Sequence, residues 1–138
     1  MTEIAERCSF QPIIERKQSI QPKLPTKEEE GMIYELRVYE AIPGKLPALN
    51  ERFAKITLGY FEKYGLKVVG FWTDEVGMTN RLTYMLAFND MAQRDRAWAG
   101  FRTDAERLKA FAETEKDGPL VARVTNTIMR PTAYSPMQ

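Results

Sequence analysis

Five side chains in the second part of this sequence could bind a small molecule, and each falls in a predicted strand. Two are arginines and three are aromatic: Arg37, Tyr39, Trp72, Tyr84 and Arg123. A guanidinium holds a carboxylate through a rigid fork of N–H donors, a phenol donates a hydrogen bond, and an indole stacks on a planar ring. These residue types predict a ligand-binding site for a small organic molecule and leave the catalytic residues unknown.

Each candidate also has a structural interpretation. Arg37 could pair with Glu35 or with a second subunit, because ion-pair networks also engage and perturb charged groups. Trp72 is more simply explained as a core residue, and Tyr84 as a packed residue whose hydroxyl has a partner. A phenol, with a pKa of about 10, is in any case a poor base near neutral pH. From the sequence, both interpretations stay open.

Missing residue types limit the possible chemistry. The sequence has no His and a single Cys, Cys8. It therefore lacks the usual general base and any Cys/His zinc site. Axial ligation of haem would have to come from Tyr or Met. Because there is no glycine-rich phosphate loop either, we expect neither a cofactor nor a metal.

The charge balance and the apolar runs bear on partners and compartment. The 20 Lys and Arg oppose 19 Asp and Glu, for a formal net charge of +1, so we expect no nucleic-acid or membrane partner. No run approaches the roughly 18 apolar residues of a membrane span. The longest early apolar run, Ile13-Ile14, is too short for a secretion signal. These patterns predict a cytoplasmic protein.

The composition changes near residue 31. Residues 1–31 contain one aromatic side chain, Phe10, and three prolines, so they cannot form a core of their own. They are either a flexible extension or an arm that lays its apolar residues on another surface, such as a neighbouring subunit. The folded domain is predicted to span residues 32–138.

Periodicity predicts the first elements of this domain. Residues 32–40 alternate, which is typical of a strand with two usable faces. Pro43 and Gly44 then turn the chain, and Gly65 ends the following helix with a left-handed cap. The apolar side chains of this helix recur at steps of three and four: Leu46, Leu49, Phe53, Ile56, Tyr60 and Tyr64.

The second half repeats this arrangement. Two strands, residues 66–74 and 81–88, are joined by a hairpin and followed by a helix that Asn89 or Asp90 caps. A capping box at residues 103–106 restarts the helix, and residues 120–129 form the last strand. Arg94 is predicted to lie on the solvated face of the helix. The side chains expected to be buried are Met91, Ala97, Trp98, Phe101, Leu108, Phe111 and Ala112.

The order of elements predicts an α+β fold of the ferredoxin-like β-α-β-β-α-β type. Its antiparallel sheet should carry both helices on one face. The other face is expected to be partly polar and covered by the sheet of a second subunit, which would make a homodimeric α+β barrel around a small cavity. The residues assigned to that second face are Arg37, Tyr39, Met85, Arg123 and Thr125.

A set of short motifs gives the domain a resemblance to a known family. They occur in order between about Met32 and Pro136, and as a set they resemble the NIPSNAP family. The motifs are Tyr34-Glu-Leu-Arg-Val-Tyr39, Pro43-Gly-Lys45, Gly70-Phe-Trp-Thr73, Gly77, Asn80-Arg81, Asp90, Arg94 and Pro131-Thr132 with Ser135. The resemblance implies membership of the dimeric α+β barrel superfamily, which also contains cofactor-independent monooxygenases and haem-handling proteins.

One departure from the family pattern bears on chemistry. Where many relatives carry a His, then a Trp and another aromatic, this sequence has Tyr84, Leu86 and Phe88. A role that requires that His is therefore not available to this chain. The resemblance implies no settled reaction, so three functions stay open: a homodimer that binds a small organic ligand, a cofactor-independent monooxygenase-like enzyme, and a non-catalytic protein-interaction module.

Overall fold

A computed structural model describes residues 31–138, so the expectations for an N-terminal arm lie outside the described residues. Within that range the elements follow the predicted order. The first helix, α1, has three consecutive segments, of which the middle one is π-helical. The bounds are β1 Ile33–Ala41, α1 Leu46–Arg52 with Phe53–Thr57 and Leu58–Lys63, β2 Lys67–Thr73, β3 Arg81–Phe88, α2 Met91–Thr103, α3 Ala105–Thr114 and β4 Val121–Met129.

The four strands of the described domain form one antiparallel sheet in the order β2-β3-β1-β4. Helix α1 and helix α2 both pack on the same face, since Phe61 of α1 contacts Tyr84 of β3 and also Trp98 of α2. We call this the helix-covered face and the opposite one the open face. The predicted α+β, ferredoxin-like fold is confirmed.

Helix α1 buries a different stripe from the one predicted. Its first half follows the prediction with Leu49 and Phe53, but its second half buries Thr57 and Phe61 in place of the predicted positions. The cause is the π-helical segment, in which the N–H of Leu58 donates to the carbonyl five residues earlier. The wider turn changes the spacing of buried residues to four and rotates the face. Gly65 ends the helix with φ of 72°, as expected.

Helices α2 and α3 meet at Asp104, which caps α3 by accepting a hydrogen bond from the backbone N–H of Arg107 at 2.8 Å. The predicted cap, Thr103, instead donates to the carbonyl of Ala99 at 2.8 Å. The three predicted buried residues that are in fact exposed are Met91, Leu108 and Ala112. Arg107 is buried in their place, with its guanidinium carbon 4.6 Å from the ring centre of Phe111.

The assignment of faces in β1 was wrong for Arg37 and Tyr39, which lie on the helix-covered face. Arg37 lies over the ring of Trp98 from α2, and Tyr39 contacts Phe53 from α1. Alternation separates the two sets of side chains but does not tell which set meets the helices. Here the more polar set lies under the helices, because Glu35 supplies a buried counterion there.

An aromatic core fills the space between the sheet and α1. Tyr84 is fully buried at its centre, with ring centres of Phe53 at 5.2 Å, Phe61 at 6.0 Å and Phe71 at 5.0 Å. Edge-to-face and offset pairs of this kind add to the stability gained from burying the rings.

In residues 31–138 no helix is long and apolar enough to cross a membrane.

Candidate ligand-binding site

Glu35 is the centre of a buried polar cluster beneath α2. Its side chain has no exposed area, yet its carboxylate accepts five hydrogen bonds from residues of the described domain. Arg94 donates from Nε at 3.0 Å and from Nη2 at 2.8 Å, and the indole of Trp98 donates at 2.8 Å. Arg37 Nη1 donates at 3.0 Å and Asn126 Nδ2 at 3.1 Å.

These donors keep Glu35 ionised. Burial alone would raise the pKa of its carboxyl, but the hydrogen bonds from Arg94, Asn126 and Trp98 and the charge of Arg37 outweigh burial and lower the pKa to about 2. A carboxylate with such a low pKa is a weak base. Glu35 is therefore suited to positioning its arginines and not to proton abstraction.

The guanidinium of Arg37 has hydrogen-bond partners at two of its nitrogens and none at the third. Its side chain is 12% exposed, and its guanidinium carbon lies 4.6 Å from the ring centre of Trp98, a cation–π contact. Its Nη2 donates to the hydroxyl of Tyr39 at a long 3.4 Å. Its Nε is buried and has no hydrogen-bond partner anywhere in residues 31–138. A buried N–H without an acceptor is costly, so this nitrogen requires an explanation.

Tyr39 and Tyr84 extend the cluster away from Glu35. The hydroxyl of Tyr84 donates to that of Tyr39 at 3.1 Å, so the oxygen of Tyr39 accepts from both Tyr84 and Arg37. Burial, together with Tyr39, raises the pKa of Tyr84 above its ordinary value. The hydroxyl of Tyr84 is consequently neutral near physiological pH.

The edge strand β4 forms the exposed wall of this cluster. In the sheet, Tyr39 pairs with Val124, Arg37 with Asn126 and Glu35 with Ile128. All three β4 residues are exposed, Val124 by 41% and Ile128 by 39%. A strip with one amide between two apolar side chains therefore runs beside the buried cluster, and we call Val124, Asn126 and Ile128 the β4 strip.

Trp72 belongs to the open face, where it pairs with Thr83 of β3. It is 50% exposed, so its interpretation as a core residue was wrong. The indole lies over Gly70, where an added Cβ would come within 2.8 Å of the ring. The absence of a side chain at Gly70 thus permits the close approach of the Trp72 ring.

Arg123 also lies on the open face, as predicted, and is 68% exposed. Its Nη2 donates to Glu40 of the neighbouring strand at 2.5 Å. Met85 and Thr125 share that face, because they pair with Leu36 and Val38. The open face therefore has apolar side chains near its centre and an ion pair at its edge.

Two cavities lie at the ends of the sheet. The larger, about 600 Å³, lies where the turn after β1 meets the β2–β3 hairpin. The smaller, about 290 Å³, lies on the open face between the strands and the C-terminal segment. Pro43, Gly44 and Asn80 line the first, and Tyr34, Met85 and Met129 line the second. In residues 31–138 no group of three or more His, Cys, Asp or Glu side chains could hold a metal ion.

The five candidates thus divide between two faces. Arg37, Tyr39 and Tyr84 meet under the helices, whereas Trp72 and Arg123 lie on the open face. Two members of the buried cluster are not among the predicted site residues: the sequence indicates Glu35 only as a pairing partner of Arg37, and it predicts Arg94 on a solvated helix face. The spacing of Arg94 and Trp98, one helical turn apart, is the signal that joins them on one side of α2.

Comparison with known proteins identifies the family. The NIPSNAP family model matches residues 34–136. The chain belongs to the NIPSNAP family. No curated protein matches it.

Solved NIPSNAP structures share the fold. A NIPSNAP-like domain protein from Burkholderia xenovorans is 22% identical, with 77% of this chain and 90% of that chain covered and a TM-score of 0.69. A NIPSNAP family protein of unknown function from Agrobacterium tumefaciens is 24% identical, with 84% and 100% covered and a TM-score of 0.69. At these identities the likeness supports the fold and assigns no ligand.

Proposed function

We propose that this NIPSNAP protein is a homodimer that binds a small organic molecule between the sheet and helix α2, beside Arg37 and Tyr39. The observation that carries the proposal is the buried Nε of Arg37, which has no hydrogen-bond acceptor within residues 31–138 and lies in the same side chain whose Nη2 contacts the hydroxyl of Tyr39. Both residues belong to one face of β1. A ligand with a hydrogen-bond acceptor would satisfy Nε of Arg37 and could be reached by the hydroxyl of Tyr39 as well.

Binding is favoured over acid–base catalysis by the protonation states of the cluster. Glu35 has a pKa of about 2 and is engaged by five donors, so it is a poor base. The pKa of Tyr84 is raised by its burial, so its phenol stays protonated. Neither Glu35 nor Tyr84 therefore offers a proton acceptor with a pKa near neutral pH.

The dimer is proposed to form through the open faces of two copies of the chain. Trp72 is half exposed and shares the open face with Leu36, Val38 and Met85, which are only partly buried within one chain. Ion pairs at the edge of the same face, such as Arg123 with Glu40, give a polar rim of both charges. An apolar centre with a charged rim of mixed sign suits a self-complementary interface.

The proposed compartment is the cytoplasm. A single cysteine in 138 residues leaves no intrachain disulfide framework, which fits a reducing environment.

Native mass spectrometry of the purified protein tests binding and assembly together. We expect a dimer mass with additional mass that is released on denaturation and identified as a small organic compound. Trp72→Asp places a charge on the apolar part of the proposed interface and should yield monomer. The matched control is Val76→Asp in the exposed hairpin, where Val76 is 95% exposed, and it should stay dimeric. A monomer without any bound compound would contradict the proposal.

A further inference from the structure

We propose that the ligand of this site is a small organic monoanion, a carboxylate on an apolar body, which Arg37 and Tyr39 hold by its charged end. This inference rests on the proposed function, because it names the chemical class of the molecule bound at the same site.

The first argument is the charge of the buried cluster. Two nearly buried guanidinium groups, those of Arg37 and Arg94, face the single carboxylate of Glu35 within the described domain. Arg94 has a second acidic partner, Asp95, at 3.1 Å, but that carboxylate is 65% exposed and therefore well screened. The cluster holds one positive charge in excess. Buried charge is costly unless it is paired, so an anion is the ligand that this cluster favours.

The second argument is the geometry of Arg37. Its Nη1 is engaged by Glu35, while Nε has no partner and Nη2 makes only the 3.4 Å contact with Tyr39. Nε and Nη2 form one edge of the planar guanidinium, and two parallel N–H donors on such an edge match the two oxygens of a carboxylate. Glu35 cannot take this place, because its two oxygens already accept five hydrogen bonds from the described residues.

The third argument concerns the rest of the ligand. Val124 and Ile128 of the β4 strip are exposed on either side of Asn126, directly next to Tyr39 and Glu35 in the sheet. Apolar surface of this kind gains free energy when a hydrocarbon body covers it. A carboxylate with a short aromatic or aliphatic body would place its charge on Arg37 and its hydrocarbon on the β4 strip.

Asn126 is the side chain that must move for this ligand to enter. Nε of Arg37 is covered by neighbouring atoms, so an acceptor reaches it only when one of them is displaced. Asn126 is exposed, pairs with Arg37 in the sheet, and makes the longest of the five hydrogen bonds to Glu35, at 3.1 Å. Displacing Asn126 leaves Glu35 with its other four donors.

The test uses the fluorescence of Trp98, which contacts both Glu35 and Arg37. The sequence has two tryptophans, so Trp72→Phe leaves Trp98 as the sole reporter and keeps an aromatic ring on the open face. The probes are two matched pairs of an acid and its neutral amide: benzoate with benzamide, and hexanoate with hexanamide. We expect at least one acid to bind about tenfold or more tightly than its amide, since a charged acceptor adds about 1.4 kcal/mol.

Two variants locate the binding. Tyr39→Phe removes one donor to the ligand and should weaken binding of the acid about tenfold. Tyr134→Phe is the matched control, because Tyr134 is 83% exposed, and it should leave the affinity for the acid unchanged. Asn126→Ala should raise the association rate, whereas Thr125→Ala, on the open face, should not.

The outcomes separate the two proposals. Equal binding of acid and amide, weakened by Tyr39→Phe, would overturn the anion inference and leave the proposed site intact. No binding of any probe at millimolar concentration would count against both proposals. Binding that Tyr39→Phe and Tyr134→Phe affect equally would place the probe elsewhere and overturn the inference.

Discussion

Arg94 of α2 and Glu35 of β1 form a bidentate ion pair, with Nε to Oε2 at 3.0 Å and Nη2 to Oε1 at 2.8 Å. The pair joins a helix to a central strand of the sheet in a place where apolar packing would be the usual contact. Helix α2 buries only Ala97, Trp98 and Phe101 from its 13 residues. Its position on the sheet therefore depends on polar contacts to an unusual degree.

Loss of the Arg94 guanidinium should be strongly destabilising. Arg94→Met keeps a side chain of similar length but leaves Glu35 buried with fewer donors, and breaking a buried pair in this way costs roughly 3 kcal/mol. Arg96→Met changes an exposed arginine of the same helix. Its free energy of unfolding should lie within about 0.5 kcal/mol of that of the original chain. Urea denaturation measures both. Equal effects of the two substitutions would show that the pair contributes nothing beyond a surface charge.

The stability of the protein should fall in acid because of Glu35. The pKa of its carboxyl is about 2 in the folded chain against an ordinary value of 4.5, so the unfolded chain binds the proton more tightly. The stabilisation from ionised Glu35 is therefore fully present above pH 4.5 and is lost as the pH falls toward about 2. The shift corresponds to about 3 kcal/mol in the free energy of unfolding.

Glu35→Gln tests this pH dependence because it removes the titrating group. Its stability deficit relative to the original chain should be largest at neutral pH and should shrink through the acid range. Glu113→Gln is the control, because the side chain of Glu113 on α3 is 73% exposed. The difference in stability between this variant and the original chain should change little with pH. A deficit for Glu35→Gln that stays constant from neutral pH to about pH 2 contradicts the assignment.

The contact between α1 and α2 depends on a glycine. A Cβ added at Gly100 would come within 2.5 Å of the ring of Tyr64, whereas one added at Gly59 would meet nothing within 4 Å. Gly100→Ala should therefore lower stability by about 1–3 kcal/mol through overpacking. Gly59→Ala, also within a helix, should raise it by about 0.5–1 kcal/mol. Thermal unfolding of the two variants separates these effects, and the same sign for both would refute this packing argument.

The fold was predictable because its signals are local. Alternation in residues 32–40, the hairpin before Arg81 and the left-handed cap at Gly65 each fixed an element to within a few residues. The second half of α1 was not predictable from a period of 3.6, because the π-helical segment widens one turn. Phe61 was consequently missed, although it is almost fully buried.

The site was only partly predictable, because its members come from different elements. Arg37, Tyr39 and Tyr84 were found from their residue types, and the pairing of Arg37 with Glu35 was recognised as an alternative. The sequence did not predict which face of β1 meets the helices, since a strand with Leu36 and Val38 on one side normally buries those residues. The contacts of Glu35 with Arg94 and Trp98 reveal that the polar side is the covered one.

The most direct test of the proposed site is the NMR signal of the Arg37 Nε–H, assigned with Arg37→Lys and followed while benzoate is added. Arg94 provides an internal control in the same spectrum, because its Nε already donates to Glu35 at 3.0 Å. We expect the Arg37 signal to move downfield as its Nε gains an acceptor, while the Arg94 signal stays in place. An unchanged Arg37 signal at saturating ligand would contradict binding at Arg37.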